Sequence, residues 1–159
     1  VRNNADAVMP NRDVVMCGPF GGHGGARFGQ DECYNVWGFP TAVRVRHSDR
    51  NVIGVDLVFG YQGVSANGAP DGTVGEFALQ PDDVVTRVEV WANEYVGAVR
   101  LHTRGGGVSP IFGDKTVTGG TIPPTHVAYA DGRGLCAIAG SSGSWMDAIS
   151  FLFAGVAMQ

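Results

Sequence analysis

The segment Gly140-Ser141-Ser142-Gly143-Ser144-Trp145-Met146-Asp147-Ala148-Ile149 gathers the groups best suited to chemistry in this chain. Gly143 permits a turn through positive φ. In such a turn the N–H groups of Ser144 and Trp145 point outward as a small donor nest. Asp147 follows with a carboxylate, which only accepts hydrogen bonds where the nest only donates. Donors beside an acceptor suit adjacent sugar hydroxyls, each of which does both. Trp145 adds a flat apolar face for sugar C–H groups. A second glycine-rich loop, Gly18-Pro19-Phe20-Gly21-Gly22-His23-Gly24-Gly25, turns out of the first apolar run. A lone loop of this kind is most often a tight turn; the acid beside the donors lifts the later one above that reading.

Enzyme signatures fail one at a time. Gly140-Ser141-Ser142-Gly143 is not G-x-S-x-G, and no strand-to-helix elbow follows it. Gly113-Asp114-Lys115-Thr116 imitates a phosphate loop, but a residue intrudes between Gly and Lys and no helix follows. The histidines at 23, 47, 102 and 126 are scattered, with no H-x-x-x-H or D-x-D-x-D frame, so no metal or cofactor is expected. Cys17, Cys33 and Cys136 form no C-x-x-C. One internal disulfide with a leftover thiol and three reduced cysteines stand as equal alternatives. His23 reads as an exposed turn residue, Trp37 and Trp91 as core or interface aromatics, and Asp82-Asp83 as a solvated turn.

The elements that position these loops are strands. Glycine makes up 25 of 159 residues, and valine outnumbers leucine and isoleucine at 22 against 5 and 5. Valine fits a pleated strand and glycine weakens helix interiors, so a helical bundle is excluded. Hydrophobic residues at 44% with 16% charged also exclude disorder. The periodicity is two. Val43 and Val45 oppose Arg44 and Arg46; Val55, Leu57 and Phe59 share a face from which Asp56 turns away. Thr86, Val88 and Val90 oppose Arg87 and Glu89, and Ile149, Phe151 and Phe153 alternate with Ser150 and Leu152. Shorter runs at 14–16, 77–79, 99–103, 127–129 and 135–139 also read as strands. Turn signals such as Asn67-Gly68, Asp71-Gly72 and Asp131-Gly132 separate them. About ten short strands and no helix predict an all-β domain of hairpins closed on itself, which hides its sheet edges. No internal repeat is legible. Residues 13–159 are expected to form the single domain, and residues 1–12 an arm or an extra edge strand.

A net charge of −4 with no basic cluster excludes nucleic acid as a partner. The most apolar stretch, 148–158, is too short to span a bilayer, so no membrane insertion is expected. The chain opens on Val1 without a leader pattern and reads as processed or trimmed. An extracellular location is expected, with a cytoplasmic one as the alternative.

Four segments then occur in a familiar order: Gly18–Gly25, Ala66-Asn67-Gly68-Ala69, Ser109-Pro110-Ile111-Phe112-Gly113 and Gly143–Ile149. In this the chain resembles the jacalin-related lectins, the β-prism family, from about Asp13 to Ala154. The resemblance implies a β-prism of three four-stranded Greek-key antiparallel sheets, with sugar held at one apex. It implies donation to the sugar by the N–H groups of Gly25, Ser144 and Trp145, and acceptance by Asp147. It also implies that Asn67 and Gly68 close over the sugar. Some relatives carry a second G-x-x-x-D loop; here Asp49-Arg50-Asn51-Val52-Ile53 has neither the Gly nor the Asp, so no second site is expected there. Galactose-binding relatives owe part of their preference to a chain cleaved at the first loop. The uncut loop here points to mannose or glucose.

The expected function is metal-independent binding of mono- or oligosaccharides and glycoproteins by a homodimer, with Val58 and Trp91 as apolar outer positions. The alternative is a structural or matrix β-prism protein whose sugar site is weak, altered or galactose-type. A glycan-active enzyme is a third reading; it would need a second carboxylate near Asp147, for which Asp71 is the candidate.

Overall fold

Alternation sets which side of each strand turns inward, and the valine-rich sides meet in one core. The structure, a computed structural model, describes residues 10–29, 31–32 and 34–156, with side chains from Asp13 onward. In chain order its elements are β1 (Pro10–Gly21), β2 (Ala26–Gly29), α1 (Tyr34–Trp37), β3 (Ala42–His47), β4 (Val52–Phe59), β5 (Gly63–Ser65) and β6 (Thr73–Ala78). There follow β7 (Val85–Ala92), β8 (Val96–Thr103), β9 (Phe112–Gly113), β10 (His126–Tyr129), β11 (Arg133–Ser142) and β12 (Met146–Val156). Of the expected arm, residues 1–9 lie outside the described residues, while the backbone of 10–12 already belongs to the edge strand β1. The elements not anticipated are β2, β5, β9 and the single helical turn α1, all too short to show a periodicity.

The strands form three four-stranded antiparallel sheets, ordered β1-β12-β11-β2, β10-β7-β8-β9 and β5-β4-β3-β6. In the last two, three consecutive strands are followed by a fourth that returns beside the first, which is a Greek key. The first sheet has the same order if the chain is read from β11 through β12 into β1 and β2, so both ends of the chain build it. Three hairpins, β3–β4, β7–β8 and β11–β12, are therefore the centres of the three sheets.

Val43, Val45, Leu57, Val88, Val90, Leu101, Ile138, Ile149, Phe151 and Phe153 are all nearly inaccessible and belong to one cluster. At roughly 1.5–3 kcal/mol for each large apolar side chain, this is the dominant stabilising term. Two outward expectations are corrected. Arg46 is buried: its side chain lies across Gly54, where a Cβ would collide with the guanidinium, and Nη2 donates to Asp56 Oδ1 at 2.9 Å. Trp91 is not an outer position for a partner: the β9–β10 connection folds over it, Val117 packs on it, and Nε1 donates to Ile122 O at 2.9 Å. Cys17 and Cys136 are free thiols; burial pushes the Cys136 thiol up to about 12, and Cys33 lies outside the described residues.

A repeat invisible in the sequence appears at one apex. Gly21 pairs with Ala148, Gly113 with Ala98 and Gly68 with Gly54, each glycine at positive φ against the second strand of its hairpin. A Cβ there would collide with the carbonyl oxygen of Asp147, Gly97 or Ile53 respectively. The N–H of Gly22 donates to Asp147 O at 2.8 Å, as that of Asp114 donates to Gly97 O at 2.9 Å. Asp147, Gly97 and Ile53 are thus equivalent positions in a threefold arrangement, and one of the three carries an acid.

Candidate functional site

The turn between β11 and β12 is three residues long, closed by the N–H of Gly143 donating to Trp145 O at 3.0 Å. Gly143 does not adopt the positive φ expected of it, because this closure forms without one, and a Cβ on it would meet nothing within 4 Å. The N–H groups of Ser144 and Trp145 have no acceptor among the described residues. Both side chains are exposed, Trp145 by 40%.

Asp147 is the second residue of β12 and only 9% exposed. Its carboxylate accepts no hydrogen bond from the described residues, which is unusual for an acid this covered. What packs on it is glycine. A Cβ on Gly24 would stand 2.6 Å from Oδ2, and one on Gly25 2.5 Å from Oδ1 and 2.7 Å from the Ser142 carbonyl carbon. Gly25 also has φ +79°, so it is required twice over. The glycine loop therefore lets backbone come flush with the acid where any side chain would cover it. Gly25, Ser144, Trp145 and Asp147, the residues named by the resemblance, lie together at this turn.

The middle loop is placed differently. Asn67 is 1% exposed, and its Nδ2 donates to Ser65 O at 3.1 Å and to Ser65 Oγ at 3.3 Å. Its side chain faces the interior, so it has no surface to offer a ligand. Gly68, at φ +98°, packs on Gly54 and on the buried Met146 side chain. Asp71 is exposed on the turn entering β6, and His23 is exposed in the glycine loop.

Sequence reasoning missed the β7–β8 turn. Tyr95 meets Trp145 edge-to-face, with centroids 5.2 Å apart and planes at 88°, and the Glu94 carbonyl packs against Gly22. The signal was the Asn93–Gly97 segment standing in its hairpin where Gly143–Asp147 stands, with no shared letters to reveal it. On β7 and β8, by contrast, an acid is internally matched. Arg100 donates twice to Glu89, at 2.7 and 3.0 Å, and His102 also bonds it; together they hold its carboxyl down to about 2. A shallow hollow of about 390 Å³ at the opposite ends of the strands is lined by Gln80, Pro81, Asp82, Asp83, Arg104 and Gly105. Its Asp83 is occupied, accepting from the N–H groups of Val84 and Gly105 at 2.9 Å. No group of three or more His, Cys, Asp or Glu side chains gathers among the described residues.

A family model described as the jacalin-like lectin domain matches residues 17–152. Among solved structures the chain is similar to a wild-type Malaysian banana lectin, at 19% identity and TM-score 0.67, covering 90% of this chain and 99% of that one. It is similar to a prostate-specific WGA16 glycoprotein lectin, at 18% identity and TM-score 0.69, covering 90% and 100%. It is also similar to artocarpin in complex with mannotriose, at 14% identity and TM-score 0.70, covering 91% and 99%. No curated protein matches it.

Proposed function

From the premise that the chain belongs to the jacalin-like lectin domain family, whose members bind carbohydrate without catalysis, we propose that it binds terminal mannose or glucose units of glycans at the β11–β12 apex. One observation supports this reading: a nearly buried carboxylate and two neighbouring backbone donors all lack a partner among the described residues. Asp147 accepts from two neighbouring sugar hydroxyls, each a charge-assisted bond of about 1.5–3 kcal/mol. The N–H groups of Gly25, Ser144 and Trp145 donate to the hydroxyl oxygens, and the Trp145 ring covers the sugar's apolar face. The unbroken chain from β1 through Gly25 into β2 supports mannose or glucose over galactose, as does the likeness to an artocarpin–mannotriose complex. A single carboxylate with backbone donors falls short of the six to eight oxygens that calcium takes, so binding is metal-independent.

One shallow site holding one ring binds at about 0.1–1 mM, because each hydrogen bond nets only about 1 kcal/mol in water. Useful recognition of glycoproteins then comes from linked copies, and the assembly is a twofold homodimer. Since Trp91 is covered, the surface for it lies along the edge strands β1 and β10, where Val15, Met16, Val127 and Tyr129 are exposed. The protein acts outside the cell. Glycan-array binding with methyl α-mannoside, methyl α-glucoside and methyl α-galactoside as competitors, run with and without EDTA, tests the site reading. Competition by the first two that survives EDTA is expected. Competition by galactoside alone, or loss in EDTA restored by calcium, contradicts it.

A further inference from the structure

Resting on the sugar-site reading above, the geometry points to the Arg46–Asn67 cluster as a positioning device for Asp147, acting through Gly68 and Met146. The resemblance implies that Asn67 closes over the sugar; its side chain is instead the centre of a buried polar cluster. Its carbonyl accepts from Arg46 Nη2 at 3.1 Å and from the Val55 N–H at 2.9 Å, and its own N–H donates to Asp56 Oδ1 at 3.3 Å. Arg46 and Asp56 are themselves paired at 2.9 Å, and Ser65, which takes the Asn67 amide, donates onward to Asp31 at 2.9 Å.

This cluster fixes the next residue. Gly68 bridges Gly54, and a Cβ on it would lie 3.2 Å from Met146 Cε. Met146 is fully buried and immediately precedes Asp147, on the strand whose other face carries the glycine loop. The carboxylate is thus held from two sides: Gly24 and Gly25 press on its oxygens, and the Gly68–Met146 contact holds the backbone beneath it. The cluster is a poor choice for stability alone. Arg46 Nε and Asn67 Oδ1 are buried without a partner among the described residues, and each such atom is destabilising. Apolar residues in a buried ion pair's place are often neutral or better, so a positioning role accounts for what stability does not.

The test uses Asn67→Ala, Met146→Ala and Met146→Leu in the full chain. Two readouts are taken: the dissociation constant for methyl α-mannoside, and the Asp147 amide and side-chain carboxyl NMR shifts in sugar-free protein. Asn67→Ala and Met146→Ala are expected to move both Asp147 shifts and to weaken binding about tenfold, the scale of a loosened supporting shell. Met146→Leu restores most of that loss. If Asn67→Ala fails to fold, the Met146 pair decides. Folded variants with unmoved Asp147 shifts and affinity within twofold of the parent overturn the inference. A parent that binds no hexoside overturns the sugar reading instead, and the sugar-free shifts still decide whether the cluster positions Asp147.

Discussion

At the end of β7 the Asn93 N–H closes on Tyr95 O at 3.0 Å; at the end of β11 the Gly143 N–H closes on Trp145 O at the same 3.0 Å. The backbone is one turn used twice. In the first copy Asn93 Oδ1 takes the Tyr95 N–H at 3.3 Å, and Gly97 stands at the acid's position. In the second no side chain among the described residues caps Trp145, and none of them donates to the Asp147 carboxylate. The β3–β4 turn repeats the first case, with Ser48 Oγ taking the Arg50 and Asn51 N–H groups at 3.1 Å and Ile53 at the acid's position. A turn that caps itself is finished structure; a turn left uncapped beside an acid has hydrogen bonds to give away. The fold provides three apical turns, and side-chain capping sets the β11–β12 turn apart from the other two.

The largest effect comes from filling the space at the open turn. Gly25→Ala places a side chain at φ +79° against Asp147 and the Ser142 backbone, so it is expected to destabilise by about 2 kcal/mol or more and to abolish binding. Chemical denaturation measures the first and calorimetry the second. Next, the β7–β8 region uses its charge for stability where the β11–β12 turn does not. Glu89 is held down to about 2 in the fold from 4.5, chiefly by its hydrogen bonds with Arg100. Its contribution, roughly 2–3 kcal/mol, is complete above the unfolded value and is lost as pH falls toward 2. Glu89→Gln should therefore lower stability at pH 7 and flatten its decline between about pH 4.5 and 2, with sugar affinity unchanged.

A smaller effect is expected from opening the closed copy. Asn93→Gly with Gly97→Asp frees the Tyr95 N–H and supplies the acid, and should add a second site at about 1 mM or weaker, seen as a rise in stoichiometry. An unchanged stoichiometry in a folded variant would mean that capping and acid are not the deciding difference. The smallest effect is at Gly143. Its φ is ordinary and the space beside it is open, so Gly143→Ala should stabilise by no more than about 0.4–1 kcal/mol, by restricting the unfolded chain.

Strand periodicity made nine of the strands legible, because one buried face writes every second residue; β3 was read to its boundaries and β12 through its Ile149-Phe151-Phe153 face. Arg46 broke the pattern, since its burial depends on Gly54 from the neighbouring strand, a pairing no local window contains. The donors and acid of the candidate site stand out in the sequence as a motif, but the reason given for Gly143 was wrong in kind: Gly25 is the glycine that the geometry needs. Asn67 was misplaced because a turn-forming Asn-Gly looks the same whether its amide faces a ligand or Ser65. The threefold arrangement was unreadable because its three copies share backbone pairing and almost no side chains.

The central claim is that Asp147 is held ready for a ligand and contributes nothing to the fold. An acid 9% exposed with no partner among the described residues should, if anything, be a burden on stability. Isothermal titration of parent and Asp147→Ala protein with methyl α-mannoside, with thermal unfolding of both, tests this directly. The expected result is binding lost beyond detection with the unfolding temperature equal or higher. A folded Asp147→Ala protein that still binds, or one that loses binding only because it loses stability, contradicts it.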